Sequence, residues 1–465
     1  MSEPTASPLI AEAFRADPKV VRAKQDLLDA MAHHQRSITG IRPADPQRAQ
    51  SYAQTLDAFA QVRGDRLFFP YLGSGLGRGT LVELADGSVK YDFINGIGVY
   101  HFGHSHPRLI EAALDAALND TLMHGNLQQD ATAYTFSEKL LKAANAGGAK
   151  FDHCYLSSTG VMAGENALKI TLQRRHPADR VLAFENCFAG RTLTFAQITD
   201  KPGFRDGLPN TLPVDYVPFL DATAPGQSTE RALAKLREHL GRYPGRHAAM
   251  IFELVQGEGG FNPGSTRFHR ALMQELRSHG VSVLVDEVQT FARTPELFAF
   301  QHYGLDDLVD VVWVGKASQV CATLFGEASA PKPGLLGQTY TASATAITAG
   351  IAVLDELLTG GYFGPEGKVV ALHESFKSRL EGIAERHPDL LTGPYGIGAM
   401  VACTPFGGDA SKVKDFIYAL FDNGVIGFIA GANPTRARFL LPIAAITQDD
   451  IDQATRIIEN TLTSM

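Results

Sequence analysis

Two residues in this 465-residue chain can do chemistry by virtue of where they stand. Lys316 follows the apolar run Val309-Asp310-Val311-Val312-Trp313-Val314-Gly315, and Asp286 ends an earlier run, Val281-Ser282-Val283-Leu284-Val285. Short apolar runs of this kind read as buried strands, so a lysine and a carboxylate are each delivered at a strand's C-terminal edge. Either charge alone is commonly just a solvated strand end. Together they are what a pyridoxal phosphate site needs, an amine to hold the aldehyde and a carboxylate to hold the ring nitrogen.

Both groups reach one place only if their strands share a sheet. Between about 105 and 345, apolar runs alternate with helical stretches. Ala249-Met250-Ile251-Phe252 reads as a buried strand, Thr266–Ser278 as an amphipathic helix closed by Gly280, and residues 281–285 as the next strand. Consecutive units of this kind force a mainly parallel sheet with helices on both faces. Ligands then bind beyond the carboxyl ends of the strands, where Asp286 and Lys316 lie.

The remaining segments read as companions to that α/β unit. Residues 1–66 look helical and partly polar, punctuated by Pro4, Pro8, Pro18, Pro43 and Pro46. Residues 67–104 switch to short strands, with Asp86-Gly87 as a hairpin turn between Leu81-Val82-Glu83-Leu84 and Val89-Lys90-Tyr91. The nearby Gly73-Ser74-Gly75-Leu76-Gly77-Arg78-Gly79 is not a dinucleotide fingerprint, because its third glycine is out of register and a strand follows where a helix is required. Beyond 346, helices over 351–358, 368–386 and 448–462 and strands over 400–403 and 424–429 predict a smaller α+β domain. The expected division is a helical extension (1–66), the first part of a small domain (67–104), a large cofactor domain (105–345) and the C-terminal part of the small domain (346–465).

Composition excludes other classes. A net charge of −8 gives no general attraction to nucleic acid or anionic lipid. No stretch approaches the ~18 apolar residues of a membrane helix. The start, Met1-Ser2-Glu3-Pro4, has neither a basic nor an apolar signal region, so a cytoplasmic protein is expected. Cys154, Cys187, Cys321 and Cys403 are scattered without metal-ligand spacing and read as free, buried thiols in a reducing compartment.

The stretch Asp286-Glu287-Val288-Gln289-Thr290, then Arg293-Thr294 and an aromatic-rich segment before Lys316, resembles the class III, omega-amino acid type aminotransferases, and the likeness runs from about Leu72 to the C-terminus. The resemblance implies PLP fold type I, with a seven-stranded large-domain sheet, and a Schiff base on Lys316. Ser157-Ser158-Thr159-Gly160-Val161 resembles the family's phosphate turn, which implies Gly160 and Val161 as backbone donors. Thr339, in Gly337-Gln338-Thr339-Tyr340, is implied to reach the phosphate of a neighbouring subunit, making a homodimer with shared sites. Phe188-Ala189-Gly190-Arg191-Thr192 is similar to the ring-stacking segment, with Phe188 on the ring and Ala189 where histidine is usual. Asp286 is implied at the ring nitrogen and Gln289 at the phenolic oxygen.

Phe252-Glu253-Leu254-Val255-Gln256-Gly257-Glu258 resembles the substrate-side motif, with Leu254 in place of proline. It implies Glu253 as a switch that pairs with Arg438 until a dicarboxylate acceptor needs that arginine, Arg436 being the alternative. Gly315-Lys316-Ala317-Ser318-Gln319-Val320-Cys321 is similar to the lysine 6-aminotransferase branch, which implies a diamine-like donor. The function expected is amino-group transfer, a terminal one, to a 2-oxo acid such as 2-oxoglutarate by ping-pong kinetics. An aminomutase or decarboxylase on the same fold, or a catalytically silent scaffold, are the alternatives.

Overall fold

The computed structural model describes residues 7–465; Met1-Ser2-Glu3-Pro4, on which the expectation about a signal rests, lies outside the described residues. At the centre is a seven-stranded sheet made of β1 (His153–Ser157), β2 (Arg180–Phe184), β3 (Val214–Val217), β4 (His247–Glu253), β5 (Ser282–Asp286), β6 (Val311–Val314) and β7 (Cys321–Phe325). Their order across the sheet is β1-β7-β6-β5-β4-β2-β3, and only β7 runs against its neighbours. The reversal has a simple cause. A parallel crossover needs a dozen or more residues, and the connection from Gly315 to Val320 is too short for one. Lys316 sits in that tight connection.

Sequence and packing agree in the helices that flank this sheet. Thr266–Ser278 forms as its spacing predicts, begun by Ser265, whose Oγ accepts the Phe268 N–H at 3.2 Å, and ended by Gly280 at φ 69°. It buries Phe268, Leu272, Met273 and Leu276 on one face. Each such side chain contributes about 2 kcal/mol of apolar burial. The helix Gly160–Arg175 packs Ala163, Ala167 and Ile170 inward and is capped by Thr159, which accepts the Met162 N–H.

Two smaller sheets lie beside the large one. The hairpin Leu81–Leu84 and Val89–Asp92 turns at Gly87, φ 83°, and Val425–Ile426 from near the chain's other end adds to it in parallel. The second sheet is antiparallel, with Leu391–Ile397, Met400–Pro405, Arg436–Leu440 and Phe428–Ala430 in that order. Residues 424–429, read from sequence as one strand, are therefore two pieces in two sheets. The chain turns at Gly427, where a Cβ would come within 2.7 Å of the Phe439 ring. Helices Ala344–Thr359, Lys368–Arg386 and Gln448–Thr463 complete this region, and Ile10–Arg15, Pro18–Gln35 and Ala49–Arg63 make the N-terminal segment helical as expected. All four cysteines are free; Cys187 and Cys403 are buried, but Cys154 and Cys321 are only partly so, which corrects the expectation that all were hidden. Among the described residues no helix is long and apolar enough to cross a membrane.

Candidate active site

A cavity of about 310 Å³ opens where the strands deliver their ends, bounded by Gly160, Val161, Phe188, Glu253, Asp286, Gln289 and Lys316, with Ala189, Arg191 and Glu258 at its sides. Seven residues singled out from the sequence thus converge on one space. Asp286 is the last residue of β5 and stands in register with Glu253, the last of β4, so two carboxyls sit side by side.

That adjacency governs their charge. Burial pushes the Asp286 carboxyl up to about 7, against the opposing pull of the Val288 N–H at 2.9 Å and of nearby Lys316. Burial likewise pushes Glu253 up to about 8, although its oxygens accept the N–H groups of Phe188 at 2.8 Å and Gly257 at 3.1 Å. Burial, then the charges of Arg438 and Arg293, bring the Lys316 amine down to about 8, while Glu258 and Asp286 oppose the fall. Lys316 also holds φ 53°, a left-handed backbone that a non-glycine residue rarely adopts, and such strain clusters at functional sites.

The turn that carries Lys316 is pressed against the helix start. A Cβ on Gly160 would meet both methyls of Val288 at 3.0 Å, and one on Gly315 would meet Cys321 Sγ at 3.1 Å. Only the absence of side chains at these two positions lets the first turn of Gly160–Arg175, with its unpaired N–H groups, face the cavity beside the lysine. Phe188 forms part of the wall, its backbone pinned by Glu253 and its ring edge-on to Phe204 at 6.3 Å between centroids.

Thr339 does not line this cavity. It lies in a stretch that runs along residues 123–126, where the Asn126 N–H donates to the Gln338 carbonyl at 3.2 Å and Ala342 pairs with His124.

The substrate-side pairing differs from the sequence expectation. Arg438, fully buried in Arg436–Leu440, donates to Glu258 and not to Glu253. The reason is local: both Glu253 oxygens are taken by backbone N–H groups, whereas Glu258 stands five residues later, past the turn, facing the arginine. Arg436 is directed elsewhere, donating to the Gly260 carbonyl at 2.6 Å and Asn262 Oδ1 at 2.9 Å with its guanidinium over Tyr395. Burial pushes Glu258 up, but Arg438 and Lys201 outweigh it and the carboxyl is held below its ordinary value. Glu258 and Arg191 are the site residues that the sequence reading passed over, though both stand inside the motifs it quoted. The Arg191 guanidinium lies 4.0 Å from the centre of the Phe204 ring.

The donor set suits pyridoxal phosphate. A helix start with unpaired N–H groups fits a phosphate, and paired carboxyls raised by burial fit a cationic ring nitrogen placed beside them. Gln289 presents an amide end whose Oε1 has no hydrogen-bond partner, and burial brings the Lys316 amine down to about 8.

Comparison with known proteins agrees. The family model described as aminotransferase class-III matches residues 75–462. Acetylornithine aminotransferase of Pseudomonas putida is 30% identical over 393 residues, covering 81% of this chain and 89% of the relative. Acetylornithine/succinyldiaminopimelate aminotransferase of Yersinia pestis is 28% identical, covering 84% and 92%. Among solved structures, lysine aminotransferase from M. tuberculosis superposes with a TM-score of 0.78 at 23% identity, covering 88% of this chain and 99% of that one. Ornithine aminotransferase from Toxoplasma gondii ME49 gives 0.74 at 24%, covering 88% and 94%. A family match over most of the chain, on a sheet whose strand ends meet at an amine and a carboxylate, places this protein among the class III aminotransferases, enzymes of PLP fold type I that use pyridoxal phosphate to pass an amino group from a donor to a 2-oxo acid.

Proposed function

We propose that this transaminase takes a terminal amino group from a diamino-acid-type donor and delivers it to a dicarboxylic 2-oxo acid such as 2-oxoglutarate, in two half-reactions that share Lys316. The observation that carries the reading is Arg438, wholly buried, paired with the Glu258 carboxylate, and near enough to Lys316 for its charge to depress that amine. A donor whose reacting amine has no carboxylate beside it leaves the Arg438–Glu258 pair closed. A dicarboxylic acceptor brings a carboxylate beside its keto carbon that takes the arginine for itself, with the bidentate geometry that guanidinium favours.

When bound, the cofactor supplies an aldehyde for the amine and a protonated ring that accepts the electrons of the substrate's breaking C–H bond. Gly160 and Val161 would offer N–H groups to its phosphate, and Phe188 would lie against the ring. Asp286 would keep the ring nitrogen protonated, and Gln289 would donate its amide N–H to the phenolic oxygen. Lys316 would hold the aldehyde through Nζ and, as a free amine, would move a proton to and from the substrate carbon. Glu253 keeps Phe188 in place through the backbone, and Arg191 stands at the cavity's side for a carboxylate on the donor's far end. Ala189 lines the cavity with a methyl group where an imidazole is usual.

The working unit in this reading is a cytoplasmic homodimer in which Thr339 serves the neighbouring phosphate. Support comes from its place outside its own cavity, beside exposed apolar residues Met123, Leu127 and Tyr340, the second of them 97% exposed. Residues 67–104 act with 346–465 as one smaller domain, a division that the pairing of Val425–Ile426 with Val89–Asp92 supports, and residues 105–345 form the large one.

A half-reaction screen tests the proposal. Holoenzyme is mixed with lysine, ornithine, 4-aminobutyrate or their acylated relatives, and the visible band of the lysine-bound cofactor is followed. Loss of the band with a diamino acid, and its return on adding 2-oxoglutarate, is the expected result. Turnover without any oxo acid would favour a mutase or decarboxylase instead.

A further inference from the structure

Arg293 is a buried cation without a counter-ion. Its side chain is fully buried and donates to carbonyls alone, Nη1 to Gln289 at 3.0 Å and Phe291 at 3.5 Å, Nη2 to Gly98. Nε has no partner and, among the described residues, no carboxylate pairs with the guanidinium. A guanidinium keeps its charge, and a buried charge left unpaired is costly. The two Nη groups reach the two turns that face the cofactor cavity. Gln289 stands in the turn that follows Asp286. Gly98 is pressed so closely on the guanidinium that a Cβ there would come within 2.6 Å of Nη2. The next carbonyl, of Val99, accepts from Gln319 Nε2 at 3.0 Å, and the same amide donates to the Lys316 carbonyl at 3.3 Å. Asn95, Gly96, Ile97 and Gly98 all hold a positive φ, between 53° and 86°, as do Lys316 at 53° and Gln319 at 65°. Left-handed backbone of this extent persists only where its surroundings impose it.

We infer that Arg293 is a positioning residue for Lys316: it braces the segment 95–99 between the two cofactor-facing turns, and its unpaired charge sets how readily Lys316 Nζ releases a proton. The charged and titratable groups that act on Lys316 are few. Arg438 and Arg293 are the cations, Glu258 and Asp286 the carboxyls, and Cys321 the thiol, while the segment 95–99 and the helix start at Gly160 and Val161 bring none. Arg438 is matched by Glu258, which leaves Arg293 as the cation whose field nothing cancels. His101, packed beside it with Nε2 3.0 Å from the Ala292 carbonyl, adds no charge, because burial and then Arg293 hold its imidazole well below the ordinary value. The fall of the Lys316 amine to about 8, due to burial first and then to the two arginines, agrees with this arrangement. A group that passes a proton to and from carbon works best when it titrates near the operating pH. The inference rests on Lys316 as the residue that holds the cofactor.

The test is a pH titration of holoenzyme in the absence of substrate, following the visible band of the lysine-bound cofactor, whose wavelength changes when the Lys316 nitrogen loses its proton. Arg293→Gln removes the charge and keeps an amide donor for the carbonyls. Without the neighbouring cation the protonated nitrogen is favoured, so the midpoint rises by about one pH unit, the scale of one partly screened charge several ångströms away. Arg293→Lys keeps the charge and leaves the midpoint where it was. A purely structural Arg293 would shift both variants alike or neither, and either result overturns the role of its charge. Should Arg293→Gln fail to fold, Gly98→Ala displaces the guanidinium instead, and a midpoint that does not rise in that variant overturns the inference. If the unsubstituted holoenzyme shows no lysine-bound band at all, the assignment of Lys316 falls, and the inference falls with it.

Discussion

The two sides of the cavity are built by different means. On the cofactor side, Glu253, Asp286 and Lys316 come from the ends of adjacent strands β4, β5 and β6, each within two residues of a hydrogen-bonded ladder. On the substrate side, Glu258 comes from a turn and Arg438 from a separate four-stranded sheet, and one ion pair joins them. Groups fixed by a shared sheet can be held to the geometry that catalysis demands. Groups joined by a single pair across two sheets can separate, which is what discrimination between two substrates in one cavity requires.

The contrast is broken most directly at Lys316. Lys316→Arg keeps the positive charge but provides no amine that condenses with the aldehyde. The expected result is a fall in kcat of about 10⁴-fold or more, with no lysine-bound absorbance band. A folded holoenzyme that retains that band would contradict the assignment.

Asp286→Asn is expected to cost less, about 10²-fold in kcat for both half-reactions, the weight of one charge-assisted hydrogen bond. Because Asp286 acts on the cofactor, donor and acceptor suffer equally. Arg438→Met, on the other side, should be selective: KM for 2-oxoglutarate rises about 30-fold through loss of a charge-assisted contact worth ~2 kcal/mol, and KM for the diamino donor is little affected. Equal losses for donor and acceptor in Arg438→Met would erase the distinction between the fixed and the movable side.

What the sequence made legible follows the same division. The strands ending at Asp286 and Lys316, the helices Thr266–Ser278 and Lys368–Arg386, and the turn at Gly160 were all readable, because apolar runs, caps and glycines are local signals. The Arg438 partner was not. Glu253 and Glu258 stand in one short motif, and which of them faces the arginine depends on backbone N–H groups of Phe188 and Gly257 that no local pattern exposes. The split of 424–429 between two sheets was hidden for the same reason, since Gly427 turns there only because the Phe439 ring occupies the space beside it.

The smallest expected effect is thermodynamic and needs no substrate. Burial raises the folded pKa of Asp286 to about 7 and of Glu253 to about 8, both above their unfolded values near 4. Groups shifted this way contribute full stability below the unfolded pKa and lose it as pH rises through the folded one. The cofactor-free protein should therefore melt progressively lower between about pH 5 and pH 8, by about 1 °C for each kcal/mol lost in a chain of this length. Buried Glu287, pushed up to about 7, adds to the same slope, so the informative quantity is a difference. Asp286→Asn carries no titrating proton and should flatten the slope of the cofactor-free protein. Bound pyridoxal phosphate should flatten it in the unsubstituted enzyme, because a protonated ring nitrogen lets Asp286 ionise at little cost. The measurement is melting temperature against pH at fixed ionic strength, with and without cofactor. Equal slopes in all three cases would mean that the carboxyl at the end of β5 does not feel the cofactor's charge.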